Sequence, residues 1–244
     1  MKKLKNPLTL LVLIIVAASF SAPFGTPQLA AFAKDFLPAV ATLIAAYVGA
    51  SYGATLVRDA AQEDERKRQI GAGARAMFTL WRQINIVAQI QMDFVDDYRD
   101  NPSVVISLPP IDYPLDELPR IDLDSLAFFL DLGNGEILEA LVIAEQNFLH
   151  AIDVVRTRST LHYVEVQPIL EKIIPNGGTI SHGSLEQALG PRLFSQLIDQ
   201  TKRLIFRVDR SIEDLDKVAD ELYTALKKDF PNAKFPRPSK PEFE

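Results

Sequence analysis

Residues 36–57 read FLPAVATLIAAYVGASYGATLV, a run of 22 residues without a charge. A helix rises about 1.5 Å per residue, so a run of this length matches a hydrocarbon core of about 30 Å. Pro38 falls in its first turn, where a missing N–H is tolerated. Tyr47 and Tyr52 are its least apolar members. The run therefore predicts a membrane-spanning helix, with a buried core helix as the alternative. A second apolar run, residues 8–22 (LTLLVLIIVAASFSA), lies upstream behind Lys2, Lys3 and Lys5. Together the runs predict a transmembrane hairpin, residues 1–57, with helices at about 7–23 and 36–57 joined by a short loop over 23–35. The other reading of residues 1–22 is a cleaved secretory signal, with small residues Val16, Ala17 and Ala18 near a cleavage point.

Small residues Ala45, Gly49 and Gly53 recur at every fourth position of the second run, beside Ala46, Ala50 and Ala54. Such a stripe lets two helix backbones approach closely where lipid supplies no hydrophobic drive. It suits packing against the first span or a homodimer seam. Basic residues precede the first run, and Arg58, Arg66, Lys67 and Arg68 follow the second, whereas the connection carries only Lys34. Positive flanks stay inside, so the expectation is a multi-pass protein of a bacterial inner membrane with both termini cytoplasmic.

Charge divides the chain. Residues 1–58 hold five basic residues and one acid, a net of +4; residues 59–244 hold 21 basic and 31 acidic residues, a net of −10. A domain of that sign repels phosphate backbones, so nucleic acid is a poor partner. It repels anionic headgroups too, so the lipid bilayer holds it through the anchor and not by surface adsorption. The absence of Cys removes disulfides, thiolate metal sites and Cys nucleophiles together.

Beyond the anchor, helical periodicity dominates. Good helix formers follow Arg58, so the second span continues as a helix. Its apolar stripe is Ile70, Met77, Leu80, Ile84, Val87 and Phe94, flanked by Trp81, Ala88, Val95 and Tyr98. Gly71 and Gly73 weaken it and suggest a hinge. Asn101-Pro102 ends it. Residues 101–121 form a Pro-rich loop, with an extended piece over 104–108. A short helix follows over 121–132 with Asp122 as its cap, stopped by Gly133-Asn134-Gly135.

A second long helix is expected over 136–174, with Ile137, Leu141, Ala144, Phe148, Ala151, Val155, His162, Val166, Ile169 and Ile173 on its apolar side. Pro168 predicts a kink or a break near 164–167. Asn176-Gly177-Gly178 ends that helix, Ser184 opens a short one, and Pro191 suits the first turn of the last. There Phe194, Ile198, Thr201, Ile205, Val208, Ile212, Leu215, Ala219, Leu222 and Leu226 alternate spacings of four and three. The fold class is therefore all-α: a transmembrane hairpin, then an antiparallel bundle of three long helices with short capping helices over 58–230, then a Pro-rich disordered tail over 231–244.

No catalytic, cofactor-binding or metal constellation emerges. His150, His162 and His182 lack i, i+4 spacing. His162 lies on the apolar stripe and reads as a buried, hydrogen-bonded residue. Asp93, Asp96, Asp97, Asp100, Asp112, Asp116, Glu117, Asp122 and Asp124 crowd one region without the spacing of a calcium loop. The polar candidates are His162, Asp96, Asp97 and Asp122. Arg156, Arg158, Arg203, Arg207 and Arg210 suit salt bridges more than a phosphorylated ligand. These features predict a non-enzymatic, membrane-anchored interaction or signalling protein with a protein partner or a second copy of itself. The alternatives are a metal-dependent or other effector enzyme using the acidic region and His162, or a membrane-disrupting effector.

Overall fold

The computed structural model describes residues 27–101, 103–111, 117–173 and 182–237. Every regular element among them is helical. The expected first span, residues 112–116, residues 174–181 and the tail after residue 237 lie outside the described residues. The chain forms two compact units, Met1–Glu63 and Asp64–Glu244.

Helix α1, Pro27–Ile90, contributes to both units. It begins nine residues before the expected start, so residues 27–35 are helical and not part of a connecting loop. Pro27 supplies the preset φ of a first helical position, and Gln28, Leu29, Ala30 and Ala31 are good helix formers. Pro38 is therefore inside the helix, which corrects its expected first-turn position. In the first unit no described side chain from Lys34 to Glu63 is buried. The hydroxyls of Thr42 and Thr55 donate to the carbonyls of Pro38 and Ser51, at 2.8 and 2.9 Å. That bonding pattern leaves neither hydroxyl dependent on water.

In the second unit α1 buries Met77, Leu80, Ile84, Val87, Ala88 and Ile90. Trp81, expected at the flank of this stripe, is 46% exposed. The helix runs unbroken through Gly71 and Gly73. Gly73 is a site of close approach: a Cβ there would run into the side chain of Leu226. Beyond Ile90 the chain widens into a π-helical turn, Gln91–Val95, and tightens into a 3₁₀ turn, Asp96–Tyr98. Val95, four residues beyond buried Gln91 and seven beyond buried Ala88, is fully buried, and Phe94 is only half-buried.

Val104–Ser107 forms the one-turn helix α2, where an extended piece was expected. Ser103 N–H donates to Asn101 Oδ1, and Leu108 N–H to the Val104 carbonyl, which closes the turn locally. Instead of one short helix over 121–132 there is a 3₁₀ turn, Asp124–Leu126, and then α3, Phe128–Asp131. Gly133, at φ 73°, takes the left-handed conformation that ends α3.

Helix α4, Gly135–Leu161, passes through a π-helical turn, His162–Val166, into α5, Gln167–Ile173. The irregular turn sits immediately before Pro168, whose ring and missing N–H disturb the preceding turn. The expected apolar residues of α4 are buried as far as Val166, but Ile173 is 41% exposed.

Helix α6, His182–Asp229, contains non-helical Gly190, at φ 74° and ψ 155°, and so consists of a short and a long segment. Pro191 opens the long one, as expected. Its buried face differs in one respect from the expected stripe. Leu197 and Leu204 are fully buried, while Ile198 and Ile205 are only partly so. The buried set Phe194, Thr201, Val208, Leu215 and Leu222 repeats every seven residues, as does Leu197, Leu204, Ser211, Val218 and Ala225. Ile212, Ala219 and Leu226 widen the face.

Polar contacts fix helix direction. Asn134 meets Asp229 at 3.1 Å, Asn147 meets Asp214 at 2.8 Å, and Arg158 reaches Thr201, so α4 and α6 run antiparallel. Gly73 faces Leu226 and Gln91 bonds Asp209, which sets the same sense between α1 and α6. Replacing Gly73 with Val should lower stability by about 1–3 kcal/mol through overpacking. Gly71→Ala, whose Cβ would meet only Arg75 at 3.5 Å, should gain about 0.5–1 kcal/mol. Thermal and denaturant unfolding of the two variants would show opposite signs.

Candidate functional site

Three features of the chain go beyond simple packing. The first is the apolar run in the first unit. The helical stretch Pro38–Tyr98 contains an 18-residue window with mean hydropathy 1.6 and none of that window buried. Among the described residues it is the one helix long and apolar enough to cross a membrane. Among the described residues, a Cβ added at Gly49 or Gly53 would meet nothing within 4 Å.

The second feature is the solvent face of α1 in the second unit. Phe78 and Trp81 are 54% and 46% exposed. They stand between Arg75 and Arg82 within two turns of one helix. Two half-exposed aromatic rings with two arginines near them in sequence resemble the composition of protein-docking hot spots.

The third is a buried polar cluster where α4, α6 and residues 103–111 meet. Arg158 is 0% exposed. Its Nη1 donates to the Pro109 carbonyl at 2.8 Å, and its Nη2 to the carbonyls of Leu108 and Val105 at 2.5 and 3.2 Å. Nε reaches Thr201 Oγ1 at 3.5 Å. Acceptors are thus main-chain carbonyls, not the acidic side chains expected for this arginine. Burial without a carboxylate pushes its pKa down to about 10. Ser159 Oγ accepts the Ile111 N–H at 2.9 Å beside it. His162, one turn on, is 6% exposed. Neither of its ring nitrogens has a hydrogen-bond partner, which corrects the expected hydrogen-bonded histidine. Burial and the neighbouring Arg158 charge push its pKa down to about 4, against a weaker opposing pull from the Ile106 backbone.

The remaining arginines behave more nearly as expected. Arg203 pairs with Asp199 at 2.9 Å and Arg210 with Asp214 at 3.1 Å, while Arg207 lies over the Phe206 ring. Asp96 pairs with Arg99, which also grips Asp209 through two nitrogens at 2.6 and 2.8 Å. The Asp209 carboxylate raises the Arg99 pKa. Asp97 and Asp122 are exposed; Asp122 Oδ1 accepts the Ser125 N–H at 3.3 Å, close to its expected capping role. His150 is exposed, and His182 opens α6. Among the described residues no three His, Asp or Glu side chains converge as metal ligands.

The described residues of the Pro-rich loop near Pro119 and Ile121 are tied to the helices. Gln83 Nε2 donates to the Pro119 carbonyl at 2.9 Å, and Glu145 Oε1 accepts from both Gln83 and the Ile121 N–H. Two open grooves each carry both charge signs. One is lined by Glu136, Asp220, Glu221 and Lys228, the other by Arg68, Arg75, Asp124 and Asp131.

Removing the guanidinium in Arg158→Met should cost about 1–3 kcal/mol, since three carbonyls lose their donor. Thr201→Val should cost much less, because its bond is long. Denaturant midpoints compared across the two variants would test this ordering. No family model matches the chain, and neither a curated protein nor a solved structure is significantly similar to it.

Proposed function

We propose that this chain is a non-enzymatic interaction protein of a bacterial inner membrane, anchored by residues 36–57 and presenting its acidic helical unit to the cytoplasm. The observation that carries the proposal is a helical run of 22 residues without a charge and without a buried described side chain. Exposing so much apolar surface to water is unfavourable by about 25 cal/mol per Å², whereas in lipid it is stabilising. The intrahelical bonds of Thr42 and Thr55 support the same reading. Arg58, Arg66, Lys67 and Arg68 favour the cytoplasmic side for the following residues by the positive-inside rule.

In this reading a first span at about 7–23 completes a hairpin, and α1, α4 and α6 form an antiparallel three-helix bundle. Both chain ends are then cytoplasmic. The Arg75, Phe78, Trp81 and Arg82 face is the surface for a protein partner, and the Ala45, Gly49 and Gly53 stripe packs against the first span or a second copy.

The full chain should remain with bacterial membranes after an alkaline carbonate wash. A reporter fused after Glu244 should be active only on the cytoplasmic side. A chain that stays soluble without detergent, or a tail cut by protease added outside intact cells, would refute the assignment. Trp81→Glu should leave membrane association and unfolding unchanged while removing any stoichiometric partner recovered with the wild-type chain.

A further inference from the structure

Residues 103–111 cover a second, smaller apolar cluster. That cluster consists of Leu161, Val166, Leu185, Leu189, Phe194 and Leu197, with Val105 and Ile106 laid against it. Leu108 and Ile111 of the segment are buried in the larger core, and its polar fastenings converge on one place. Arg158 holds the carbonyls of Val105, Leu108 and Pro109, and Ser159 holds the Ile111 N–H. One turn later stands His162, buried and with both ring nitrogens unpartnered.

A proton on that ring would be poorly accommodated. Residues 103–111 contribute no ionisable side chain. From α6, the cluster contributes Leu185, Leu189, Phe194 and Leu197, and neutral Thr201 faces Arg158. Glu186 and Lys202 of α6, Glu165 of the π turn, Glu171 and Lys172 of α5, and Arg156 of α4 are all exposed. The charge that acts on the ring is the Arg158 guanidinium, of the same sign. An imidazolium at this position would be buried beside a cation, with only the weaker pull of the Ile106 backbone in its favour.

We propose that residues 103–111 are an acid-released strap, in which proton uptake by His162 frees the segment from Arg158 and from the second apolar cluster and draws Leu108 and Ile111 out of the larger core, while the helix packing of residues 204–222 persists. The proton comes from solvent and no covalent bond changes. Release returns the ring to water, gives the guanidinium its own hydration, and exposes Val105, Ile106 and the cluster beneath them. The pKa of His162 with the strap closed, about 4, lies below the ordinary value of 6.5 regained on opening. The closed form is therefore fully favoured above pH 6.5 and loses ground as pH falls from there towards 4. Between pH 7.5 and 5.5 the open fraction should rise about tenfold.

Hydrogen exchange of the full chain in detergent micelles, with rates corrected for intrinsic exchange at each pH, tests the proposal. Amides of residues 106–108 and 111 should open about tenfold more at pH 5.5 than at pH 7.5. Amides of residues 204–222 should not change. His162→Gln should abolish the pH step, and Arg158→Lys should raise opening at both pH values. An unchanged strap in the wild-type chain, a step that survives in His162→Gln, or equal acceleration in residues 204–222 would overturn it. Should His162→Gln fail to fold, the wild-type imidazole resonance decides: titration at the ordinary value while the strap amides stay protected would also overturn it.

Discussion

A guanidinium removed wholly from water must find acceptors for its donors, and Arg158 finds them in the main-chain carbonyls of Val105, Leu108 and Pro109. This constraint organises the part of the second unit that periodicity alone leaves open. Five N–H donors in a rigid fork can hold several carbonyls that no single strand or helix would present together. Once they are held, α2 sits against α6 and seals the smaller apolar cluster. A carboxylate partner would have met the charge more favourably, but it would have tied Arg158 to one side chain and left the carbonyls after α2 without donors.

The larger core depends on a different kind of pairing. Amide and carboxylate groups at its margins link helices that apolar contacts hold without fixing their register. Gln91 and Arg99 on one side of Asp209, Asn147 on Asp214, and Asn134 on Asp229 mark successive levels along α6. Leucine against leucine permits sliding by a turn; a short polar bond does not. Gly73 adds a steric stop, because only a residue without Cβ admits the Leu226 side chain.

The two units differ in how their apolar side chains are covered. In the second, apolar residues are buried by their own neighbours, and the exposed aromatics Phe78 and Trp81 are local exceptions. In the first, apolar side chains such as Leu43, Val48 and Val57 face outward, and the helix satisfies its hydroxyls internally. Water is a poor medium for that surface and lipid a good one, so the proposed anchor rests on exposure as well as on hydropathy.

Helix identity was legible in the amino-acid order because it rests on local periods: the Met77–Leu80–Ile84 stripe, the Ile137–Val155 stripe and the break before Pro191 all read directly from residue spacing. The irregular turn near Pro168 was legible for the same reason, since a proline acts on its own preceding turn. What tertiary structure decided was phase and partnership. The choice of Leu197 and Leu204 over Ile198 and Ile205, the burial of Val95 over Phe94, and the exposure of Trp81 depend on which neighbour each face meets. The carbonyl ligands of Arg158 and the unpartnered ring of His162 lay beyond any pattern, because segments about fifty residues apart in the chain come together only in the folded domain, and no local rule specifies which backbone carbonyls a distant arginine will reach.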